Sequence, residues 1–448
     1  MITLIDLAAK LERRKLSSRQ LVELCLANID NRSGEGARAF LSVYRDRALA
    51  EAEAADQARR DGRHSSPFCG IPLSIKDLFD VAGEVTHAGS HALDEHAAAK
   101  RDATIVERLR KAGFIIMGKT NMTEFAYSGL GINSHFDTPA SPWDRERRLI
   151  PGGSSSGAAV SVSDDMAAGA IGTDTGGSTR IPAALCGITG FKPTQARIPL
   201  DGCTPLSSSL DSIGPLANTV TCCSVLDSIM AGGSGEAEPA FPQVGLRLGV
   251  LEGFATDELD DEVADAFRAT LNRLSKRGVM MKSITLPELE AYSAHVNRGA
   301  LIGGEAYAWH RQLLETRREF YDPWVRERIE ACETFSAADY VDTVNRRASC
   351  QKLTALRTDA FDAVVLPTVP LLARPIADLQ ANDDESKRCN LLYLRNTSIA
   401  NTLDAPAISI PCQAAGTAPV GLMLLGHHGR DRQLLSVAQS LEGIIRLD

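Results

Sequence analysis

Four short apolar runs, each ending in a polar or glycine-rich turn, recur along this chain with helical stretches between them: IPLSIKDLF from Ile71, FIIMGK from Phe114, AAGAIGTD from Ala167 and VVLPTVP from Val364. Runs of that length are buried strands when amphipathic helices separate them, and the alternation predicts an α/β fold. Residues 1–65 form the expected N-terminal helical layer: Leu4, Leu7, Ala8 and Leu11 share a helical face, and Ser17-Ser18 caps a second helix through Leu21, Val22, Leu24 and Cys25. Residues 255–275 and 289–360 read as charged helices, and 361–425 returns to short strands. The Gly, Ser, Thr and Pro content of residues 141–219 would suit a linker, but AAVSVS and ALCGITGFKP within it are too apolar to serve as one. The chain thus begins and ends around the same presumed sheet, which predicts a single domain over residues 1–448.

With 44% hydrophobic residues and a net charge of −9, the chain can bury a large core but carries no basic block with which to track phosphates. Nucleic acid is therefore not an expected partner. The opening MITLIDLAAKLERRKLSS has no apolar signal core, and no stretch is apolar for long enough to span a membrane. Ten cysteines without a CxxC pair fit reduced thiols and a cytoplasmic protein.

The chemistry concentrates in three segments. GTDTGGSTRIP, residues 172–182, ends an apolar run in a glycine turn that delivers Ser178, and glycines there let backbone N–H groups converge as an oxyanion hole. PGGSSSGAAVSV lies just upstream, and Lys76 closes the run IPLSIK. Taken singly, GGS reads as a tight turn and Lys76 as an ion-pair partner of Asp77. Together they supply a nucleophile, a second serine to relay its proton and a lysine that burial can hold neutral as the base.

These segments resemble the amidase signature family: GIPLSIKDLFDVAG, GGSSSG and DTGGSTR match its motifs in order and spacing, and TNMTEFAYSGLGIN, GFKPT, DAVVLPT, RNTSIANTLDAPAISIP and PVGLMLLG extend the likeness over nearly the whole chain. The resemblance implies a central mixed β-sheet covered by helices on both faces and a Ser–cis-Ser–Lys triad of Ser178, Ser154 and Lys76 in a core spanning 66–230. It implies oxyanion contacts from Thr175, Gly176 and Gly177, and an acyl pocket at Ala126, Tyr127 and Ser128. Asp174 and Arg180 are expected to structure the nucleophile loop, and residues 290–350 to cover the site as helices. Thr179 departs from the family, which more often has an aliphatic residue there. The activity implied is hydrolysis of a carboxamide with no cofactor or metal. The expected partner is a small amide, and a homodimer is left open. The glutamine-hydrolysing component of a tRNA-dependent amidotransferase is the alternative within the family, disfavoured because YSGLGIN stands where that component has a serine-rich GSS-type sequence.

Two other patterns compete. GFIIMGKT, residues 113–120, fits a phosphate loop, yet its variable positions are apolar and a helix precedes it where a strand should be. GSSSG, residues 153–157, fits a nucleophile elbow centred on Ser155, but the charged SPWDRERRLIP before it is no buried strand. An α/β-hydrolase would also need a late histidine, and His427 and His428 lie in a polar GHHGRD turn.

Overall fold

In the computed structural model, which describes residues 3–295 and 299–446, the apolar runs become strands of one sheet. The strands are β1 (Phe40–Val43), β2 (Pro72–Lys76), β3 (Ile115–Thr120), β4 (Gly169–Asp174), β5 (Thr189–Lys192), β6 (Ser212–Ala217), β7 (Arg247–Leu251), β8 (Met280–Ile284), β9 (Ala363–Pro367), β10 (Ala407–Pro411) and β11 (Gly421–Leu425). Their order is β1-β3-β2-β4-β6-β5-β10-β11-β9-β7-β8. β2 runs parallel to β3 and β4, and β7 parallel to β8 and β9, while the pairs through β6, β5, β10 and β11 are antiparallel. Every residue of β2, β3, β4, β6, β9, β10 and β11 is buried. Such strands read as continuous apolar runs, as strands covered on both faces do. This is a single α/β domain with a mixed sheet flanked by helices.

Two details differ from the sequence reading. The helical layer of residues 1–65 contains an edge strand, β1, whose FLSV is too short to carry a period of its own and is fixed by antiparallel pairing to β3. The segment 361–425, read as strands, holds a 20-residue helix, Asp383–Thr402, whose polar opening DDESKR hid its periodicity. The expected cap of the second helix is present: Ser17 and Gln20 form a reciprocal capping box.

Both ends of the chain pack against the helix Val220–Met230, whose Val220 N–H donates to Glu442 of the last helix. The Leu4 N–H donates to Cys222 Sγ at 3.2 Å, and the last helix, Asp431–Ile445, buries Leu434, Leu435, Val437, Ala438 and Leu441 in the core that also holds Leu4 and Leu7. Residues 290–350 are largely helical, with Gly299–Arg317, Pro323–Glu330 and Ala337–Thr358; residues 296–298 lie outside the described set. The phosphate-loop pattern is resolved by β3, where residues 115–120 form a fully buried strand rather than a loop.

Candidate active site

Lys76 is the last residue of β2, the point at which a buried parallel strand delivers its side chain to the end of the sheet. It is fully buried. Its Nζ lies 2.8 Å from Ser154 Oγ and 2.9 Å from Thr173 Oγ1. No carboxylate is within ion-pair distance among the described residues. Burial pulls its pKa down to about 7, against the opposing fields of Cys203, Asp211 and Asp174. The notional pair with Asp77 is not formed; Asp77 instead sits 3.9 Å from Lys119 and accepts the Gly89 N–H.

Ser154 follows a cis peptide bond from Gly153. Its carbonyl accepts the Thr123 N–H at 3.1 Å, and Gly153 N–H donates to Gly129 O at 2.8 Å. The serine-rich turn is thereby fastened to the segment Thr123–Gly131. Ser155, the centre of the elbow pattern, precedes the helix Ser156–Ser163 and is fully buried, its hydroxyl 3.4 Å from Thr173 O. His427 bonds the Phe361 carbonyl and His428 the Asp404 carbonyl.

Ser178 lies in the turn between β4 and the helix Arg180–Cys186, is 3% exposed, and its carbonyl accepts the Ser155 N–H at 3.3 Å. Among the described residues the N–H groups of Gly176, Gly177 and Ser178 have no protein acceptor. Gly177 has φ +141°, and a Cβ there would fall 2.2 Å from Thr397 Oγ1, so no other residue fits. Thr175 is anchored from the side: its hydroxyl donates to Asp211 Oδ1 at 2.5 Å, while Asp211 Oδ2 accepts the Leu206 and Ser207 N–H groups. Burial raises the Asp211 carboxyl to about 6 despite these donors.

The base of this turn is a sealed ion pair. Arg180 and Asp174 are both fully buried, with Arg180 Nε 3.0 Å from Oδ2 and Nη2 2.8 Å from Oδ1. Asp174 also accepts the Thr179 N–H, the Thr179 hydroxyl and Asn401 Nδ2. Burial alone would raise its pKa, yet the Arg180 guanidinium holds the carboxyl well below the usual carboxylate range. The departure at Thr179 is thus accommodated, its hydroxyl bonded to Asp174 at 2.9 Å. The helix Asp383–Thr402 completes the frame: Thr397 donates to Gly176 O at 2.7 Å and its carbonyl accepts Arg180 Nη1, while Asn401 bridges Arg180 and Asp174.

The expected pocket segment is strained. Phe125 and Ala126 take φ of +50° and +60°, a conformation that L side chains adopt at a cost of about 1 kcal/mol or more each. Tyr127 is buried under Arg328, whose guanidinium lies 4.3 Å from its ring centroid. Ser128 is tied up structurally, its hydroxyl 3.0 Å from Asn390 Oδ1 and accepting the Leu130 N–H. Thr173, Asp211, Thr397, Asn401 and Arg328 were not singled out from sequence. Thr173 carried a signal as the polar residue two before the turn at the end of β4, and Thr397 and Asn401 lay in the matched segment RNTSIANTLDAPAISIP without a role being read from it.

The amidase family model matches residues 20–435. The chain is 35% identical to 2-amino-5-chloromuconic acid deaminase of Comamonas testosteroni, over 99% of this chain and 96% of that protein. It is also 35% identical to the A component of the glutamyl-tRNA(Gln) amidotransferase of Chromohalobacter salexigens, over 98% of this chain and 96% of the relative. A crystal structure described as an amidase superposes with a TM-score of 0.89 at 30% identity, covering 99% of this chain and 100% of that one. With its motifs, its sheet and its relatives in agreement, the chain belongs to the amidase signature family and is a hydrolase of amide C–N bonds.

Proposed function

We propose that this protein is a stand-alone amidase acting through a Ser178 acyl-enzyme, with Lys76 as base and Ser154 as relay. The observation that carries this is Lys76: a fully buried amine, unpaired with any carboxylate among the described residues, 2.8 Å from Ser154 Oγ and pulled down to about 7. A lysine with that pKa is substantially neutral at physiological pH and able to take a proton. Neutral Lys76 accepts the proton of Ser154 as Ser154 accepts that of Ser178, and Ser178 Oγ bonds to the amide carbon. Thr175 and the free N–H groups of Gly176, Gly177 and Ser178 stabilise the oxyanion. When the C–N bond breaks, the relayed proton goes to the leaving nitrogen, and water then releases the carboxylate by the same route.

Asp174 and Arg180 hold the nucleophile turn without entering the chemistry. Ala126, Tyr127 and Ser128 form one wall of the acyl pocket, Ser128 through its backbone. The helices of residues 290–350 cover the site: Glu305 accepts the Ser207 hydroxyl and the Ser209 N–H, and so fastens the cover to the turn that carries Asp211. Fluorophosphonate labelling tests the assignment. Adduct on Ser178 is expected, and adduct on Ser155 would refute it.

The second reading, the glutaminase of a tRNA-dependent amidotransferase, draws on the 35% identity to the A component of one such enzyme. Ammonia release from simple amides by the purified chain, without partner proteins or tRNA, separates the two. No helix among the described residues is long and apolar enough to cross a membrane. We place the enzyme in the cytoplasm, since all ten cysteines are free thiols, acting on a small amide either alone or as a homodimer.

A further inference from the structure

Arg328 is a cation without an anion among the described residues. It sits on the helix Pro323–Glu330 with its guanidinium 4.3 Å from the Tyr127 ring centroid and 4.9 Å from that of Trp324. Nη1 donates to the Tyr127 carbonyl. Among the described residues no carboxylate pairs with it, whereas Arg326, two residues earlier, lies 3.8 Å from Glu330. Residues 294–300 read AHVNRGA and contain no acid that could serve. Arg328 Nε and Nη2 have no acceptor among the described residues, and unlike Arg326 Nε they are not sealed from the surroundings.

Stacking on two aromatic rings uses the faces of a guanidinium and leaves its edge, the part that matches a carboxylate with two parallel N–H···O bonds. A half-buried cation held this way without a counter-charge is desolvated at a cost that an anionic ligand would offset. Its stacking partner Tyr127 belongs to the segment read as a wall of the acyl pocket. Tyr127 is four residues beyond Thr123, whose N–H holds the Ser154 carbonyl at 3.1 Å. The side chains that close on Gly129 and Gly176 nearby, Leu394 and Ile181, are apolar and offer nothing to a second charge.

We propose that Arg328 binds a carboxylate at the far end of the acyl group, so that the substrates are monoamides of dicarboxylic acids. This rests on the reading of Ser178 as nucleophile and names the substrate class of that site. Burial lowers the Arg328 pKa, in keeping with a guanidinium that lacks a neighbouring carboxylate. A purely structural role, clamping the helix to Tyr127 by stacking, is the competing account.

The test is direct binding, by calorimetry, of succinamate and glutaramate against their neutral counterparts butyramide and pentanamide, using Ser178→Ala protein so that nothing turns over. The acids are expected to bind about a hundred-fold tighter, the range of a charge-assisted hydrogen-bonded pair. Arg328→Gln should bring that ratio close to one, and Arg328→Lys should keep part of it. The same ratio read as kcat/KM in the parent should collapse in parallel. Equal binding of acids and neutral amides, or a preference that survives Arg328→Gln in a protein of parental melting temperature, overturns the proposal. If Arg328→Gln fails to fold, the parent's ratio and the Arg328→Lys ratio still decide. Binding does not require Ser178, so acid preference in a protein whose Ser178→Ala form stays active would refute the nucleophile and leave the carboxylate site standing.

Discussion

Two fully buried cations stand one strand apart at the end of this sheet, and they are built in opposite ways. Arg180 is bidentate to Asp174, caps the Thr397 carbonyl and touches Asn401, so that every charge is answered. Among the described residues Lys76 meets only two hydroxyls. The first arrangement fixes a turn and the second stores a basic amine that water would have protonated. Lys192 is also fully buried without a carboxylate, but its amine is taken up by the Pro193 and Ala405 carbonyls, whereas Lys76 meets hydroxyls that can exchange a proton with it, which is what the proposed base requires.

The strongest way to break this comparison is through turnover. Ser178→Ala and Lys76→Arg should each lower kcat by about four orders of magnitude or more. A guanidinium keeps the charge but cannot accept a proton, so near-parental turnover in folded Lys76→Arg would make Lys76 a second structural cation. Stability should sort the pair the other way. Arg180→Met leaves Asp174 buried and unpaired and should cost about 3–5 kcal/mol in denaturant unfolding. Lys76→Met should stay within about 1 kcal/mol of the parent at pH 8, because the group removed is one the interior disfavours.

The pH profile sharpens the contrast. The Lys76 amine is depressed to about 7, so its base form exists above that value and turnover should fall as pH drops through it. Asp211, Asp174 and Cys203 are the titratable groups facing Lys76, and the Asp211 charge favours the ammonium. Asp211→Asn should therefore move the acid limb to lower pH while weakening the Thr175 anchor; a limb that stays put would detach Asp211 from the base. Thr179→Val removes one of several donors to Asp174 and should cost about 1 kcal/mol of stability with turnover little changed. Smallest of all, replacing His427 and His428 together should leave kcat within about a few-fold, since both serve backbone carbonyls; a loss on the scale of a missing triad base would revive the elbow at Ser155.

How much of this was legible depended on sequence distance. The strands carrying Lys76 and the nucleophile turn were readable because each is a local apolar run meeting a glycine, and Ser154 and Ser178 lie in motifs whose order survives in the chain. Asp174 and Arg180 stand six apart and were flagged, but nothing local says that they pair. Thr397 and Asn401 lie in the matched segment RNTSIANTLDAPAISIP, but that they grip the turn was not legible, and Arg328 carried no signal at all, because each makes its contact from a helix about 200 residues along the chain. A polar residue on a helix looks solvated until something shows which turn it faces. β1 was lost for a related reason, since four residues with no alternation become a strand only when β3 offers them hydrogen bonds.

The grip of the helix Asp383–Thr402 on the nucleophile turn has a consequence for how the enzyme comes off the ribosome. Lys76, Ser154 and Ser178 are all synthesised before the chain is half made. Yet the turn that presents Ser178 is hydrogen-bonded by Thr397 and Asn401, and β5 cannot pair with β10 until residues 407–411 emerge. On the proposed assignment, a nascent chain therefore carries its catalytic side chains through more than half of its synthesis before the turn that presents Ser178 can be fastened. On that assignment hydrolytic competence waits for the C-terminal strands, and a chain cut short before residue 397 should keep all three side chains, each with its ordinary reactivity, and show no turnover.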